Sequence, residues 1–338
     1  MSGSVSIFDL VQSHRITAVI YVAAKLNLAE VLETAEKSAA ELARLVSADE
    51  RALRRLLVAL STIGVCKQIG RDRFCMTDLG RQLDQNANRS FKDWVLFEGE
   101  LLVQSWAGLI DSVRSGKTAS QIRGEGNDRY AAMANSPEVV GRFNAAMASL
   151  TRSLIPKIVE TYDFSRPRVV MDIGGGSGEL IGGVLLYNPR LKGIAFDLAR
   201  CAAGARQHFE HLGIADRCRF IAGDFFETIP QGADTILMKS IIHNWDDDRS
   251  RIILRKSWDA LPPGGKLILI ERIMPELPVI GVQARECAMS DLNMLRGPGG
   301  FERAETEYRT LAASAGFAFA RASGAGLFSL IEFDKAAD

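Results

Sequence analysis

The hydrophobic pattern of the chain changes once, near residue 165. Before that point apolar side chains return every three or four positions; after it they come in short unbroken runs. "HRITAVIYVAAKLNLAEVLE" (14–33) has helical spacing with a wide apolar stripe. The next segment predicts two short helices, with Ser38 and Ser47 as the capping candidates that open them. A strand, a turn at "GRDR" and a second strand follow. Helices with a small hairpin behind them predict a winged-helix-like module. Residues 86–160 keep the helical period, with aromatics and methionines spaced through "FKDWVLFEGELLVQSWAGLI" and "VGRFNAAMASLTRSLI".

The runs of the second half are "RVVMDI" (168–173), "KGIAFD" (192–197), "RFIAGD" (219–224), "DTILMK" (234–239) and "KLILIE" (266–271). Helical patterns separate them. Continuously apolar strands alternating with helices predict an α/β domain whose parallel sheet is covered on both faces. "GFAFARASG" and "LFSLIEF" lie too close together for a crossover helix, so they predict an antiparallel hairpin at the sheet edge.

Length and composition narrow the classes. A chain of 338 residues is longer than the usual single domain of about 100–200, which predicts two domains. Forty-one basic residues balance forty-one acidic ones, which argues against a general nucleic-acid or membrane-surface binder. No apolar run reaches the roughly 18 residues of a membrane span, and the opening residues do not read as a signal segment; a cytoplasmic protein is expected. Cys66, Cys75, Cys201, Cys218 and Cys287 are scattered without a C-x-x-C pair, so reduced thiols and no structural metal are expected. His208 and His211 share one helical stretch without a third ligand nearby and read as surface residues.

The first apolar run ends in Asp172 and breaks into Gly174, Gly175, Gly176 and Gly178. In an open α/β sheet the ligand lies at the carboxyl ends of the strands, where strand order reverses. A dinucleotide fingerprint wants G-x-G-x-x-G, yet Glu179 stands at the third glycine position, where it would repel a pyrophosphate. The other strand ends are acidic too. Asp197 can accept both hydroxyls of a ribose, and Asp224 can accept from an adenine amino group with Phe225 beside it for stacking. A ring of carboxylates suits a ribose-bearing cation better than a diphosphate.

"DIGGGSGE", "FDL", "GDFFETIP", "ILMKSIIHNWDDD" and "LPPGGKLILIERIMP" resemble the class I S-adenosylmethionine-dependent methyltransferases. More narrowly, the chain resembles the dimeric small-molecule O-methyltransferases, which include plant caffeate and isoflavone enzymes and bacterial enzymes of anthracycline, mitomycin and phenazine biosynthesis. The resemblance runs over nearly the whole chain. It implies a dimerisation domain at 1–95, a helical linker lining the substrate pocket at 96–160, and a Rossmann-like S-adenosylmethionine-binding domain at 161–338. It places the cofactor on Gly174 and Gly176 at the bend, Asp197 at the ribose, and Asp224 with Phe225 at the adenine. Lys239, an ordinary strand-end lysine by itself, is assigned to the cofactor by the resemblance alone.

His243, just past the fourth strand, matches the family's general base in "H-D/N-W". A sulfonium activates its own methyl group, so the protein must supply alignment and a proton acceptor. A phenol with pKa near 10 facing an imidazole near 6.5 is uphill by about 3.5 units, roughly 5 kcal/mol, so the proton moves as the methyl transfers rather than beforehand. Glu271 and Glu302 match the glutamates that flank the base. "RFNAAM" matches "F-N-x-x-M" and implies Phe143 and Met147 as substrate walls, with Trp106, Met289 and Asn293 as further lining. Asn244 replaces the aspartate usual in the plant enzymes, and Gly297 stands where they often carry a polar contact, so the resemblance carries over the reaction class but not the plant phenylpropanoid specificity. The expected partners are a hydroxylated aromatic or polyketide-like acceptor and a second copy of the chain, with no nucleic acid, membrane or metal. A transcriptional regulator, a nicotinamide dehydrogenase, and an N- or C-methyltransferase are the competing readings.

Overall fold

The computed structural model describes residues 6–32, 35–87, 89–125, 136–277 and 279–336. It divides into two compact units, one of Met1–Ala107 with Pro137–Ser153 and the other of Gly108–Ser136 with Leu154–Asp338. The helical stretch 96–160 is thus shared between them, and the division falls within the helix Pro137–Thr161.

In the first unit the apolar stripe at 14–33 is broken. Helix His14–Lys25 stops, Asn27 takes a left-handed φ of 55°, and a short helix Leu28–Val31 resumes in a new direction. Ser38 caps helix Ala39–Leu45 through a capping box with Glu41. Ser47 does not cap the following helix, Glu50–Thr62. It sits in a left-handed turn at φ 54°, and Asp49, extended and one residue before the helix, accepts from Ala52 N instead. Leu53, Leu57 and Leu60 return at helical spacing and bury against Leu28, Leu42 and Phe74.

Behind these helices β1 (Lys37–Ser38), β2 (Cys66–Ile69) and β3 (Arg73–Met76) form a three-stranded sheet in the order β1-β3-β2. The hairpin β2–β3 follows the sequence pattern; β1 is too short to announce itself. Arg54 reaches back to the hairpin turn, donating to Asp72 Oδ1 at 3.0 Å and Arg71 O at 2.8 Å. Ile7, Phe8, Leu10 and Val11 on helix Ile7–Gln12 are exposed, as is Ile16 on the next.

The second unit holds β4 (Val169–Ile173), β5 (Lys192–Asp197), β6 (Cys218–Ala222), β7 (Thr235–Lys239), β8 (Lys266–Glu271), β9 (Ala318–Ala325) and β10 (Phe328–Asp334). Their order is β6-β5-β4-β7-β8-β10-β9, parallel from β6 to β8, with β10 antiparallel to both neighbours. Every apolar run of the second half becomes a strand, and the C-terminal pair becomes the edge hairpin. Met171, Ile173, Phe196, Ile236, Met238 and Leu269 carry the core under the sheet. The order reverses at β4, with β5 on one side and β7 on the other, which opens a crevice at the carboxyl ends.

His208 departs from its surface reading. It is half-buried on helix Ala202–His211, packed on Gly182 with Nε2 3.8 Å from Glu179 Oε1; His211 is exposed. Among the described residues no helix is long and apolar enough to cross a membrane.

Candidate active site

The crevice beside β4 is built by backbone that only glycine adopts freely. Gly174, Gly176 and Gly178 have φ of 69°, 55° and 77°, and a side chain at Gly174 would collide with Ile241. Gly174 N donates to Phe196 O at 2.8 Å, and Gly176 N donates to Asp197 Oδ2 at 2.8 Å. Asp197 Oδ1 accepts Leu198 N at 2.6 Å. The loop after β6 places Asp224 at the surface, its Oδ1 accepting Phe226 N at 2.8 Å, with Phe225 and Phe226 edge-on at 4.9 Å.

Asp172 lies buried beneath the bend. Burial pushes its carboxyl up to about 7, opposed by the nearby Lys239 charge and reinforced by Asp197. Lys239 is drawn down to about 8, again chiefly by burial, with Glu271 acting in the opposite direction.

One strand over from the bend, His243 sits in the short turn Ile242–Asn244 after β7. The ring is buried, and its Nδ1 lies 3.0 Å from Glu302 Oε1 and 3.7 Å from Glu271 Oε2. With a carboxylate at Nδ1, that nitrogen carries the hydrogen and Nε2 is left as the basic site. The two glutamates divide the work. Glu302 Oε1 holds the ring and also accepts Ser290 Oγ at 2.5 Å. Glu271 Oε1 accepts Ile241 N at 3.0 Å and Ile242 N at 2.9 Å, anchoring the turn that carries His243.

Burial disfavours the imidazolium, but the Glu271 and Glu302 carboxylates outweigh it and raise the His243 pKa above the ordinary histidine value. Glu302 would be raised by burial, yet the His243 charge and hydrogen bonds from His243 and Ser290 bring it below the usual range. Glu271, fully buried, is raised by that burial despite His243. Donor atoms of the three residues lie within 4.8 Å of one another, a spacing a metal ion could also use. The direct Nδ1–Oε1 contact joins His243 and Glu302 in a hydrogen bond.

Sequence reasoning missed the residues that hold this turn. Arg303, 1% exposed, donates to Ile242 O at 3.2 Å and Trp245 O at 2.9 Å, and pairs with Asp247 Oδ1 at 2.8 Å. A side chain at Gly300 would collide with the His243 carbonyl, so the "PGGFER" loop lies close against the His243 turn. Asn244 Nδ2 donates to Ser240 O at 2.8 Å and Ile241 O at 3.3 Å, so its amide hydrogens close the turn. Only the double glycine beside "FER" carried a signal. Helix Val282–Arg296 supplies Ser290 and also Asp291, whose Oδ1 accepts Glu302 N at 2.9 Å. Met289 on that helix is exposed, and Asn293 Oδ1 accepts from Arg296 at 2.5 Å. Phe143, Met147 and Trp106 come together in the first unit around Phe97, Leu102 and Ala146, with Phe143 and Phe97 edge-on at 5.8 Å.

Comparison with known proteins gives the family. The profile of the O-methyltransferase domain matches residues 106–318, and that of the O-methyltransferase dimerisation domain matches residues 8–85. The chain belongs to the O-methyltransferase family. It is 33% identical to a phenazine O-methyltransferase of Lysobacter antibioticus over 93% of this chain and 91% of that one. It is 34% identical to the O-demethylpuromycin O-methyltransferase of Streptomyces alboniger over 96% and 88%. The solved structure of LaPhzM superposes with a TM-score of 0.89 at 32% identity, covering 97% and 98% of the two chains. That of NcsB1 from neocarzinostatin biosynthesis, in complex with S-adenosylmethionine and 2-hydroxy-5-methyl naphthoic acid, gives 0.75 at 28%, covering 96% of each. The family also holds other chemistry: the aclacinomycin 10-hydroxylase of Streptomyces purpurascens is 32% identical over 92% of this chain and 85% of that one.

Proposed function

We propose that this enzyme, an S-adenosylmethionine-dependent O-methyltransferase of aromatic or natural-product small molecules, methylates a ring hydroxyl whose proton is taken by His243 Nε2. The observation that carries the reading is the buried imidazole, held through Nδ1 by Glu302 so that Nε2 alone remains basic.

The residues fit the cofactor. Asp197 offers its carboxylate to the ribose hydroxyls, Asp224 and Phe225 offer an acceptor and a ring at the adenine end, and the bend at Gly174 and Gly176 admits close approach. Lys239 is proposed to stand at the cofactor's edge, its charge weakened by burial. When bound, S-adenosylmethionine supplies a methyl group already activated by its positive sulfur. The chain's own task is the acceptor. Glu302 fixes the His243 tautomer, and both carboxylates favour the imidazolium that forms as the proton arrives. That raised basicity narrows the roughly 5 kcal/mol gap to a free phenol. Arg303 and Glu271 keep the turn still, so little reorganisation accompanies the transfer.

Phe143, Met147 and Trp106 are proposed as acceptor contacts, as are Asn244, Met289 and Asn293, on their match to the family's pattern. The exposed apolar side chains of helix Ile7–Gln12 are proposed to meet a second copy in a homodimer, in keeping with the dimerisation profile. A winged-helix-like arrangement without a nucleic-acid role and a cytoplasmic location complete the reading.

The test is His243→Ala on a hydroxylated aromatic acceptor with labelled S-adenosylmethionine. Turnover falls by about 10²–10⁴, the usual worth of a positioned base, with cofactor affinity nearly unchanged. Higher pH partly restores the rate by supplying phenolate. Near-normal turnover in the variant, or a hydroxylated product without methyl label, overturns the proposal.

A further inference from the structure

Arg272 follows Glu271 at the end of β8, and its guanidinium makes no hydrogen bond or ion pair among the described residues. Its Nε is buried and unsatisfied, and its flat face lies 4.3 Å from the centroid of Phe328. Lys239 Nζ stands over the same ring at 5.5 Å, so two cations share one aromatic platform. A guanidinium taken partly out of water with an empty fork is costly, and the partner its planar geometry fits best is a carboxylate. Stacking on Phe328 fixes the plane and leaves the donor edge to an incoming group.

The neighbouring carboxylates do not use it. Glu271 bonds the backbone of the base turn, and Glu302 bonds His243 and Ser290. Arg272 is nevertheless close to the triad: after burial and the two glutamates, its charge is a further influence on His243, acting to lower its pKa. The sheet order separates it from the nucleoside side. Asp197 and Asp224 follow β5 and β6, whereas Arg272 ends β8, two strands from the glycine bend after β4 and so about 10 Å from it.

We propose that Arg272 is the recognition point for an ionised carboxylate on the methyl acceptor, which makes aromatic hydroxy acids the substrate class. This rests on the reading that the acceptor's hydroxyl meets His243.

The test reads binding before chemistry. Calorimetry with S-adenosylhomocysteine present compares 3-amino-4-hydroxybenzoate with 2-aminophenol, and 1-hydroxy-2-naphthoate with 1-naphthol. The carboxylated member of each pair binds about ten- to a hundredfold tighter, the worth of hydrogen bonds to a charged group. Arg272→Met brings the ratio close to one, and Arg272→Lys, a point charge without the fork, keeps part of it. Equal binding within each pair by the unaltered enzyme overturns the proposal even if the Met variant fails to fold. So does a ratio that survives in Arg272→Met, since both members then depend on Arg272 alike. Weaker S-adenosylhomocysteine binding with an unchanged ratio assigns Arg272 to the cofactor's carboxylate instead and also overturns it. Methyl transfer is scored separately. A carboxylate preference without transfer to oxygen leaves this site standing and removes the O-methylation reading; transfer without preference does the reverse.

Discussion

Replacing Glu302 with Gln tests the division of labour in the triad, because it keeps shape and removes one charge. Glu302 Oε1 lies 3.0 Å from His243 Nδ1 and also receives the Ser290 hydroxyl. If the new amide oxygen stays toward the ring, a bond of about 1.5–3 kcal/mol becomes a neutral one of about 0.5–1.5 kcal/mol, a loss of roughly fivefold to fifteenfold in kcat. If the amide turns its NH₂ to the ring, the whole bond goes and the loss approaches about 150-fold. The pH profile carries the sign. Only neutral His243 accepts a proton, so the rate climbs with pH through the histidine's pKa. That pKa is raised because Glu271 and Glu302 outweigh burial. Removing one carboxylate moves the acid limb to lower pH while lowering the plateau. Glu271→Gln moves the limb the same way with a smaller plateau loss, since its amide oxygen can still accept from Ile241 and Ile242. Initial rates of labelled methyl transfer from about pH 5 to 9, an interval spanning the ordinary histidine pKa, read both quantities. An unmoved limb with an unchanged plateau in Glu302→Gln would refute the pairing.

Asp197→Ala weakens S-adenosylhomocysteine binding by about 1.5–3 kcal/mol in calorimetry, because the ribose loses a charged acceptor and Gly176 loses the group that holds its amide. Gly300→Ala pushes the loop off the His243 carbonyl, so kcat falls by more than tenfold, the scale of a misplaced reacting group, while the affinity of the nucleoside side stays within twofold, read by the same two assays. Phe8→Asp places a charge on the exposed apolar helix; light scattering gives a monomer for the variant and a dimer for the parent chain, and a dimeric variant removes that helix from the interface.

The sheet was legible because burial on both faces leaves the middle of the central strands apolar, as at 236–238 and 267–270. Asp172, the next-to-last residue of Val169–Ile173, and Glu271, the last of Lys266–Glu271, interrupt the apolar runs at the strand ends, and both are buried. The first helix was less legible. An apolar stripe reports which side chains want burial, not where the backbone turns, and the left-handed Asn27 lies inside an otherwise regular period. Ser47 failed as a cap for a related reason. A serine qualifies by type, but the capping geometry belongs to the residue directly before the first turn, and Asp49 occupies it.

The triad shows a different limit. Residue types pointed to His243, Glu271 and Glu302, but nothing in a sequence says which oxygen faces which hydrogen. Glu271 is spent on two backbone amides because β8 ends beside the start of the turn, a consequence of the β7–β8 pairing in which Lys239 stands opposite Ile270. Glu302 reaches the ring because Asp291 and Ser290 on helix Val282–Arg296 hold its backbone and its carboxylate. Arg303 completes the arrangement by donating to two carbonyls of the turn, Ile242 O and Trp245 O. The end of β8, helix Val282–Arg296 and the loop at 300–303 therefore fix one imidazole together. Since none of them does so alone, the orientation of His243 depends on their joint geometry, and single substitutions among them should couple rather than add.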